Sequence, residues 1–444
     1  SGDCQSPGKT LRLAGRAGAK GKMIKTIRKK APYAEGQQQT RPSPLPHLLT
    51  INCGSSSVKF AVFRLGNNIE PVLRGKVTEI GKAQGHSSAR LADSTSLWNA
   101  KSSCKNHGSA IEHILNQLEN YAELWKISLV GHRIVHGGPD FVSPLALDSV
   151  IEAELERLIP LAPLHLPANL AAIAAVRTRL PRAEQFACFD TAFHSNMPEN
   201  AARTGLPLNM DDGVIRRYGF HGLSYESTLY QLERREGAAA LKDRIVVAHL
   251  GAGASMAAVH GRRTIDTSMG FSPLSGLPMA TRSGDIDPGL ILYLLKEEGW
   301  TSDELADLLN NRSGLLGQSG TSGDAQILVT TNAGKSAEEA IAFFCYQARR
   351  HFGALVAAMG GIDRLIFTGG IGEHSPEIRY QICKPLEQCF GTIIDPKKNK
   401  ANKPLLSPKH GSVTVEISSA DEELMIARHV AELVGTRQNG EAVA

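Results

Sequence analysis

Two arginines in glycine-rich stretches are the side chains of this sequence best suited to chemistry. Arg133 stands in GHRIVHGG and Arg282 in MATRSGDIDPG, where few other charges lie nearby. A guanidinium binds a carboxylate or a phosphoryl group through two parallel hydrogen bonds, and in such surroundings it lacks compensation unless an anion is present. For either arginine alone, the alternative is a buried pair with an aspartate: Asp190, Asp285 or Asp287. Together the two arginines favour an anion-binding site.

An acid, an imidazole and two oxygen-bearing side chains extend this set. Asp190 follows the predicted strand 184–189, and His221 lies in a glycine-containing turn, YGFHGLSY. Beside two arginines they suit the transfer of an anionic phosphoryl group, which depends on positioning and charge neutralisation. Asn52 and Glu422 are candidate Mg²⁺ ligands. For these two residues a turn cap and a helix-dipole partner are the alternatives.

Three other kinds of catalytic site do not fit the sequence. The tripeptides GKT at 8–10 and GKS at 334–336 lack the leading glycine of a P-loop. Ser255, in GASMA, lacks the closing glycine of a nucleophile elbow. His132 and His136 have the i, i+4 spacing of metal-ligand pairs, but an arginine lies between them and no glutamate stands beside the first. We therefore interpret these two histidines as structural.

Two similar hairpins are predicted to position the anion. Residues 48–63 and 244–260 each read as an apolar run, a turn rich in glycine and serine, and a second apolar run. Glycine allows backbone N–H groups to converge on an anion. Together the hairpins therefore predict a phosphate clamp, to which the first adds Lys59 and three hydroxyls. The segment 369–372, GGIG, suits a nucleotide, although a helix cap is an equal alternative for that motif.

The remaining elements follow from hydrophobic periodicity. A polar, serine-rich passage at 83–109 is predicted to be a loop or insertion. Predicted strands are 70–78, 127–130, 184–189, 364–368 and 413–417. Predicted helices are 109–124, 170–180, 287–298, 302–309, 336–359 and 422–434, with another beginning near Ser375. The order of hairpin, strand, helix, strand and helix occurs twice, which predicts a duplicated α/β fold with a cleft between the halves.

Composition narrows the class of protein. The 444 residues, 42% of them hydrophobic, can bury two domain cores. The net charge of +5 comes from residues 1–46, which hold ten Lys and Arg against two acidic residues, and we expect this segment to be disordered. The rest of the chain is mildly acidic, so nucleic acid is not an expected partner. The apolar stretch at 155–176 is interrupted, so a membrane is not an expected partner either. Seven scattered cysteines without a C-x-x-C pair indicate reduced thiols and a cytoplasmic protein.

The chain resembles the acetate kinase family, within the fold class of sugar kinases, Hsp70 and actin. The resemblance covers about 48–434 and depends on motifs in order: NCGSSSVK, GHRIVHGG, PLAPLHLPAN, FDTAFH, YGFHGLSY, HLGAGAS, MGFSPLSGLPMATRSGDIDPG, FTGGIGE and DEELMIAR. It implies duplicated actin-like ATPase (ribonuclease H-like) domains and a homodimer. It also implies reversible transfer of the ATP γ-phosphate to acetate, giving acetyl phosphate and ADP by direct in-line attack, with Mg²⁺ or Mn²⁺.

The resemblance also implies how the chain is divided. Residues 47–190, closed by 424–437, would form an N-terminal domain on the acetate side. Residues 191–423 would form a C-terminal domain on the nucleotide side. Residues 1–46 would be an extension and 438–444 a tail.

Roles for single residues follow from the same resemblance. Catalytic roles fall on Asp190, His221, Arg282, Arg133 and His165. Asn52 and Glu422 would hold the metal. The acetate pocket would consist of Arg133, Val135, Leu164, Phe220 and Pro273. Contacts to ATP or ADP would come from Lys59, Ser55, Ser57, His249, Leu250, Gly251, Ala252, Gly253, Asp324, Ala325, Gln326, Gly370, Ile371, Gly372, Glu373 and His374.

Three positions depart from the family pattern, all on the nucleotide side. Ala252 and His374 stand where the family has asparagine, and Gln326 replaces the arginine of an Asp-x-Arg motif. These changes imply weaker ATP affinity, a relaxed choice of nucleotide or another phosphoryl donor. Two alternative functions follow: a propionate kinase, since one methylene is worth only about 1–3 kcal/mol in such a pocket, and a non-catalytic nucleotide-binding module. The intact arginines and acidic residues argue against the second.

Overall fold

The computed structural model describes residues 46–122, 124–210, 213–330 and 333–441. The disorder expected for 1–46 therefore falls outside the described residues except for Pro46, as do the last three residues of the expected tail. Within the described part of the chain, no helix is both long enough and apolar enough to cross a membrane.

Two β-sheets organise the chain. The first has eight strands in the order β5-β4-β3-β2-β1-β6-β8-β7. Its strands are β1 (His47–Cys53), β2 (Ser57–Leu65), β3 (Ile69–Thr78), β4 (His86–Leu91), β5 (Ser96–Lys101), β6 (Ile127–Ile134), β7 (Leu145–Ala146) and β8 (Glu184–Phe189). The second has five strands in the order β11-β10-β9-β12-β13. They are β9 (Ile245–Leu250), β10 (Ala254–His260), β11 (Arg263–Thr267), β12 (Arg364–Thr368) and β13 (Thr414–Ile417).

The two sheets repeat one topology. In the first, β3, β2 and β1 are antiparallel neighbours, and β1, β6 and β8 run parallel. In the second, β11, β10 and β9 are antiparallel neighbours, and β9, β12 and β13 run parallel. This repetition confirms the predicted duplicated, actin-like α/β fold. Both predicted hairpins are present as β1–β2 and β9–β10.

Helices cover the faces of both sheets. They are α1 (His107–Glu119), α2 (Ser149–Arg157), α3 (Leu166–Arg179), α4 (Glu199–Ala202), α5 (Gly222–Glu236), α6 (Pro288–Lys296), α7 (Ser302–Asn311), α8 (Gly314–Ser319), α9 (Ala325–Leu328), α10 (Lys335–Met359), α11 (Gly369–His374), α12 (Pro376–Cys383), α13 (Glu387–Phe390), α14 (Pro396–Lys400) and α15 (Glu422–Glu441). Short 3₁₀ helices are Ile159–Leu161, Ala192–His194, Leu208–Met210, Ala238–Lys242 and Lys384–Leu386. The expected start of α12 is confirmed, since Ser375 is its N-cap and proline follows at the first helical position.

The central strands of each sheet are buried on both faces. Alternate residues of β2 divide between two clusters: Phe60 packs with helix α1, whereas Phe63 packs with Val430 of α15. In the second sheet, Val246 belongs to a cluster with Phe344 of α10, and neighbouring Val247 packs with α5. The helices cover the faces of the sheets and leave the strand ends uncovered, so polar side chains at the strand ends can form a site.

The loop predicted for 83–109 is wrong, because β4 and β5 lie within it. These strands extend the open edge of the first sheet, where one face is exposed and carries serine and arginine. Their buried face holds Ser87, Ala89 and Trp98, with the indole N–H donating to the Ser87 hydroxyl at 2.9 Å. Small and polar residues thus occupy buried positions, which hides the alternation of apolar residues that predicts a strand.

Candidate active site

Three predicted site residues lie where parallel strands end. Asn52 is near the end of β1, Arg133 near the end of β6, and Asp190 follows β8. Because β1, β6 and β8 are parallel neighbours, their carboxyl ends meet at one edge of the sheet, where α/β proteins form ligand sites. The fold therefore brings together residues that are far apart in sequence.

Arg133 and Asp190 form a buried ion pair. The Arg133 Nε and one terminal nitrogen donate to Asp190 Oδ2 at 2.9 and 2.5 Å, and the other terminal nitrogen donates to the Cys53 carbonyl at 2.8 Å. The alternative of an Arg–Asp pair is thus confirmed for Arg133. Asp190 is only 1% exposed, and among the described residues its second oxygen, Oδ1, is buried without a side-chain partner. Burial raises the pKa of Asp190, and Arg133 opposes that shift. One carboxylate oxygen is therefore left for a further contact.

Arg282 lacks a carboxylate partner among the described residues. Its guanidinium donates to the Pro273 carbonyl at 3.0 Å and lies 3.4 Å from His165 Nε2. The proposed pairs with Asp285 and Asp287 are wrong for Arg282. Asp285 instead accepts from the backbone N–H of residue 276 and pairs with a histidine, and Asp287 caps α6. Burial lowers the pKa of Arg282 to about 10, and Arg133 adds to this. A partly buried guanidinium in this state favours an incoming anion.

Two stacked imidazoles lie beside these arginines. His221 and His249 are 4.3 Å apart with 15° between their rings. His221 immediately precedes α5, and its backbone φ is 60°. This left-handed conformation is unusual outside glycine. Its Nδ1 lies 2.8 Å from the Ser255 hydroxyl, and that hydroxyl also contacts the Tyr225 hydroxyl. Motif reading missed this hydroxyl pair, although both residues stand within the HLGAGAS and YGFHGLSY stretches.

The imidazoles of the site are neutral at physiological pH. Burial and the neighbouring arginines lower the pKa of His165 to about 3. Burial, His249 and the two arginines hold the pKa of His221 well below its usual value. Burial also lowers the pKa of His249 to about 4. Positive charge at the site therefore comes from the arginines, while the histidines contribute hydrogen bonds.

The tip of the second hairpin lies close to two predicted catalytic residues, His221 and Arg282. A Cβ placed at Gly253 would lie 3.1 Å from His221 Nε2 and 4.0 Å from a terminal nitrogen of Arg282. A side chain there would crowd the imidazole, so glycine is required for close approach. The predicted clamp residue is thus adjacent to the predicted catalytic ones.

Asn52 and Glu422 also meet, across 370 residues of sequence. The Asn52 amide donates to Glu422 at 2.8 Å and to Glu423 at 3.1 Å. Burial tends to raise the pKa of Glu422, but Arg133 and Lys59 outweigh it and the net shift is downward. Glu422 is therefore ionised at neutral pH. Lys59 is the cross-strand partner of Asn52 in the first hairpin.

The oxygen atoms of this corner suit Mg²⁺. Glu422 supplies an ionised carboxylate, and Asp190 Oδ1 is a buried oxygen without a side-chain partner among the described residues. Over the described ranges, no three or more His, Cys, Asp or Glu side chains group as a metal-holding cluster. Magnesium commonly needs only one or two carboxylates, with water and substrate phosphates completing its shell. The residues present therefore fit this ion.

Comparisons with known proteins decide the family. Residues 47–428 match the model of the Acetokinase family.

The chain belongs to the acetokinase family.

It is 41% identical to the acetate kinase of Rhodopseudomonas palustris strain TIE-1 over 390 residues, which are 86% of this chain and 97% of that protein. It is 40% identical to a propionate kinase of Escherichia fergusonii over 389 residues, 86% of this chain and 95% of that protein. The crystal structure of Porphyromonas gingivalis acetate kinase aligns with a TM-score of 0.75 and 36% identity, covering 86% and 98% of the two chains. Acetokinases are phosphotransferases with a carboxyl group as acceptor, so the predicted enzyme class is confirmed.

Two segments predicted to contact the nucleotide lie against one another in this acetokinase. A Cβ at Gly369 would lie 2.7 Å from the Leu250 carbonyl, and one at Gly251 would lie 3.8 Å from the Gly370 nitrogen. The GGIG segment is therefore packed against the second hairpin. It forms the short helix α11, which the hydrophobic pattern did not predict, and Glu373 of that helix accepts from the Gly369 N–H at 3.1 Å. Ile371 and Gly372 are also in α11, and His374 is exposed at its end.

The two departures Ala252 and Gln326 lie on connected segments. The Ala280 N–H donates to the Ala252 carbonyl at 3.1 Å, and a Cβ at Gly323 would lie 2.7 Å from the Ala280 carbonyl. Asp324 accepts from the Gln326 N–H at 2.8 Å and is the N-cap of α9, which is a structural role. Ala325 is buried, and the Gln326 side chain is exposed. Both departures thus lie on segments that contact the loop around Ala280.

The remaining predicted residues differ in exposure. Val135 and Phe220 are buried, and the half-buried Pro273 is joined to Arg282 through its carbonyl, whereas Leu164 is 52% exposed. Three of the four predicted apolar pocket residues are therefore buried or half-buried, and Leu164 lies at the surface beside His165. Ser55 is exposed in the turn of the first hairpin, Ser57 is half-buried, and Lys59 is exposed on β2.

The two histidines interpreted as structural are fully built into the fold. His132 Nε2 lies 2.8 Å from the Gln185 side-chain oxygen, and His136 packs edge-on against Tyr218 and Phe220. Burial lowers the pKa of each histidine to about 4. They pack in the core behind the site and do not face each other as a ligand pair.

Proposed function

We propose that the protein transfers the γ-phosphate of ATP reversibly to acetate, giving acetyl phosphate and ADP. The observation that carries this proposal is the partly buried Arg282 guanidinium, which has no carboxylate partner in the described part of the chain and adjoins Gly253 and His165. An acetate carboxylate and a transferring phosphoryl group are both anions that match a guanidinium. Arg133, which shares its charge with Asp190, is the second cation of the site.

In this proposal the acetate oxygen attacks phosphorus in line, and the arginines neutralise the charge that spreads over the phosphoryl oxygens. Acetate is already ionised at neutral pH, so no general base is required. Val135, Phe220 and Pro273 would enclose the methyl group, with Leu164 at the open side. His165 would support the carboxylate beside Arg282.

A chain of hydroxyls favours a donor role for His221. Tyr225 and Ser255 can pass one hydrogen bond on to His221 Nδ1. If the Ser255 hydroxyl donates to Nδ1, the proton of the neutral ring is on Nε2, the atom that faces Gly253. We propose that Nε2–H donates to the phosphoryl group in the transition state.

We propose further that Asn52, Glu422 and Asp190 hold Mg²⁺, or Mn²⁺ in its place, directly or through water. The ion would neutralise the nucleotide phosphates. Lys59, with Ser55 and Ser57, would contact those phosphates from the first hairpin. His249, Gly251 and Gly253 in the second hairpin, with Gly370 and its neighbours in α11, would contact the nucleotide.

The test is an acceptor panel with hydroxylamine as the trap for acyl phosphate. With ATP and Mg²⁺ we expect acetyl hydroxamate to form and kcat/KM for acetate to exceed that for propionate by about tenfold, because one extra methylene changes pocket binding by only about 1–3 kcal/mol. Addition of EDTA in excess over Mg²⁺ is expected to stop the reaction. A tenfold preference for propionate would make the protein a propionate kinase. No hydroxamate from any carboxylate would favour the non-catalytic module.

We also propose a homodimer formed through α6. Four apolar side chains on and before this helix are 37–53% exposed: Ile286, Leu290, Leu292 and Tyr293. Exposed apolar side chains gathered on one helix often mark a surface that meets a partner, and the commonest assembly is a two-fold dimer that pairs the same surface of both copies. A helix that pairs with its own copy satisfies that symmetry.

Light scattering coupled to size exclusion tests the dimer. We expect the mass of two chains for the wild type and the mass of one chain for Leu292→Glu, because a buried, unpaired carboxylate opposes association. Val150→Glu is the matched control, since Val150 is 65% exposed on α2, and it should remain dimeric. A monomeric wild type at tens of micromolar protein, or dissociation of both variants alike, would contradict the proposal.

We propose that 47–190 with 424–437 and 191–423 act as separate domains around the cleft, and that the enzyme works in the cytoplasm. The two repeated sheets support the first proposal. The second is supported by the free thiols of the six cysteines in the described ranges, which suit a reducing compartment.

A further inference from the structure

A cavity on the first sheet carries a concentration of positive charge. It has a volume of about 410 Å³ and is open to solvent. Four cationic side chains line it, together with Ser88 and Glu423: Lys59, Arg74, Lys76 and Arg90. We call this cavity the basic groove. It lies over β2, β3 and β4, on the face of the sheet that also packs against α15.

The strand register places like charges directly opposite one another. Lys59 of β2 pairs with Lys76 of β3, and Arg74 of β3 pairs with Arg90 of β4. Directly opposed residues project to the same face, and like charges in that position destabilise a sheet. Two such pairs side by side therefore favour an anion between them.

The protein compensates only part of this charge, because Glu422 and Glu423 attract Lys59. Arg74 donates to Asp421 at 2.8 and 2.5 Å and lies 3.7 Å from Glu423. Among the described residues, no ion pair within 4 Å is formed by Lys59, Lys76 or Arg90, and all three are exposed. The groove thus retains an excess of positive charge.

We propose that the basic groove binds a small anion with two or more phosphate groups. Lysine binds phosphate as a point charge and arginine as a planar fork, and the groove offers two of each, with the half-buried Ser88 beside them. Its volume lies in the lower range of small-molecule sites. The groove shares Lys59 with the nucleotide-phosphate contacts proposed above, but Arg74, Lys76, Ser88 and Arg90 have no part in them, so this site adjoins the transfer site and extends beyond it.

The groove is connected to the candidate metal ligands. Glu423 lines it, lies near Arg74 and accepts from the Asn52 amide at 3.1 Å. An anion that binds Arg74 competes with Asp421 and Glu423 for that guanidinium. Occupancy of the groove is therefore coupled to the position of Asn52 through a chain of two contacts.

Titration calorimetry with inorganic tripolyphosphate tests the proposal on the full chain at constant ionic strength. The variant is Lys76→Ala with Arg90→Ala, which leaves Lys59 and the transfer residues unchanged. The matched control is Lys101→Ala with Lys105→Ala, two exposed lysines on and after β5 that remove the same charge outside the groove. We expect the first variant to bind about tenfold more weakly or worse and the control to stay within about twofold, since tenfold corresponds to only about 1.4 kcal/mol.

Two further measurements distinguish binding in the basic groove from non-specific electrostatic attraction of anions to the protein. Orthophosphate and sulfate should bind at least about tenfold more weakly than tripolyphosphate, because one group cannot reach both pairs of cations. Without anion, the groove variant should melt at a higher temperature than the wild type, since it removes two repulsive pairs, and its hydroxamate activity should be unchanged. Equal weakening in both double variants, equal binding of the single-group anions, or no binding by the wild type would overturn the proposal.

Discussion

Arg282→Ala is expected to lower kcat by about 10³-fold, because the variant loses a preorganised cation at the phosphoryl group. Nucleotide affinity should persist, since the nucleotide loops lie in other segments. Thermal stability should hold or rise, because Arg282 has no carboxylate partner among the described residues and its removal leaves no unpaired acid. The measurements are steady-state hydroxamate kinetics, nucleotide binding by calorimetry and thermal melting.

Two companion variants sharpen this result. Arg282→Lys keeps the charge but loses the fork, so its kcat should fall between those of the wild type and the alanine variant. Arg312→Ala removes an exposed arginine that pairs with Asp307 at 2.7 Å, and it should keep wild-type kcat. Wild-type turnover in Arg282→Ala would remove this residue from the mechanism.

Asp190→Asn is expected to affect both rate and stability. It removes the carboxylate that compensates Arg133 and one of the oxygens proposed for the metal, so kcat should fall by about 10³-fold. It also leaves the guanidinium of a buried pair, 11% exposed, without its counterion. Breaking such a pair costs roughly 3–5 kcal/mol, and the retained amide hydrogen bond places the expected loss near the lower end. Urea unfolding and hydroxamate kinetics measure the two effects.

Asp363→Asn is the matched control for this prediction. Asp363 pairs with Arg244 at 2.7 Å, but the two side chains are 41% and 37% exposed. Solvent screens such a pair, so its loss should cost at most about 1 kcal/mol and leave kcat unchanged. Similar losses of stability in both variants would show that the burial of Arg133 and Asp190 has no special energetic weight. We therefore expect both Arg282→Ala and Asp190→Asn to lose activity, and only Asp190→Asn to lose stability.

The site residues that the sequence predicted best are those that lie in one motif with a strand end. Strand ends could be read from apolar runs, and 184–189 and 364–368 coincide with β8 and β12. Because chemistry-bearing residues follow such runs, the sequence alone was enough to assign Arg133 and Asp190 to strand ends. The duplicated hairpins likewise predicted the duplicated sheets.

Contacts that depend on tertiary packing could not be predicted. The sequence offered Asp190, Asp285 and Asp287 equally as partners of either arginine, and only the register of β6 and β8 selects Asp190 for Arg133. The hydroxyl chain of Tyr225 and Ser255 joins two elements whose approach no local pattern reveals. Strands β4 and β5 were missed because an edge strand needs fewer apolar residues than a central one.

The helix α15 has a consequence for the order in which the enzyme matures. Glu422 stands at its first turn and reaches Asn52 at the end of the first strand, while Val430 covers the face of that first sheet. A ribosome makes β1 before α15, and domains generally fold as they emerge. The sheet must therefore wait, with an apolar face uncovered, until α15 has been synthesised. A nascent chain that lacks α15 also lacks Glu422, so we expect no transfer activity until synthesis has passed this helix.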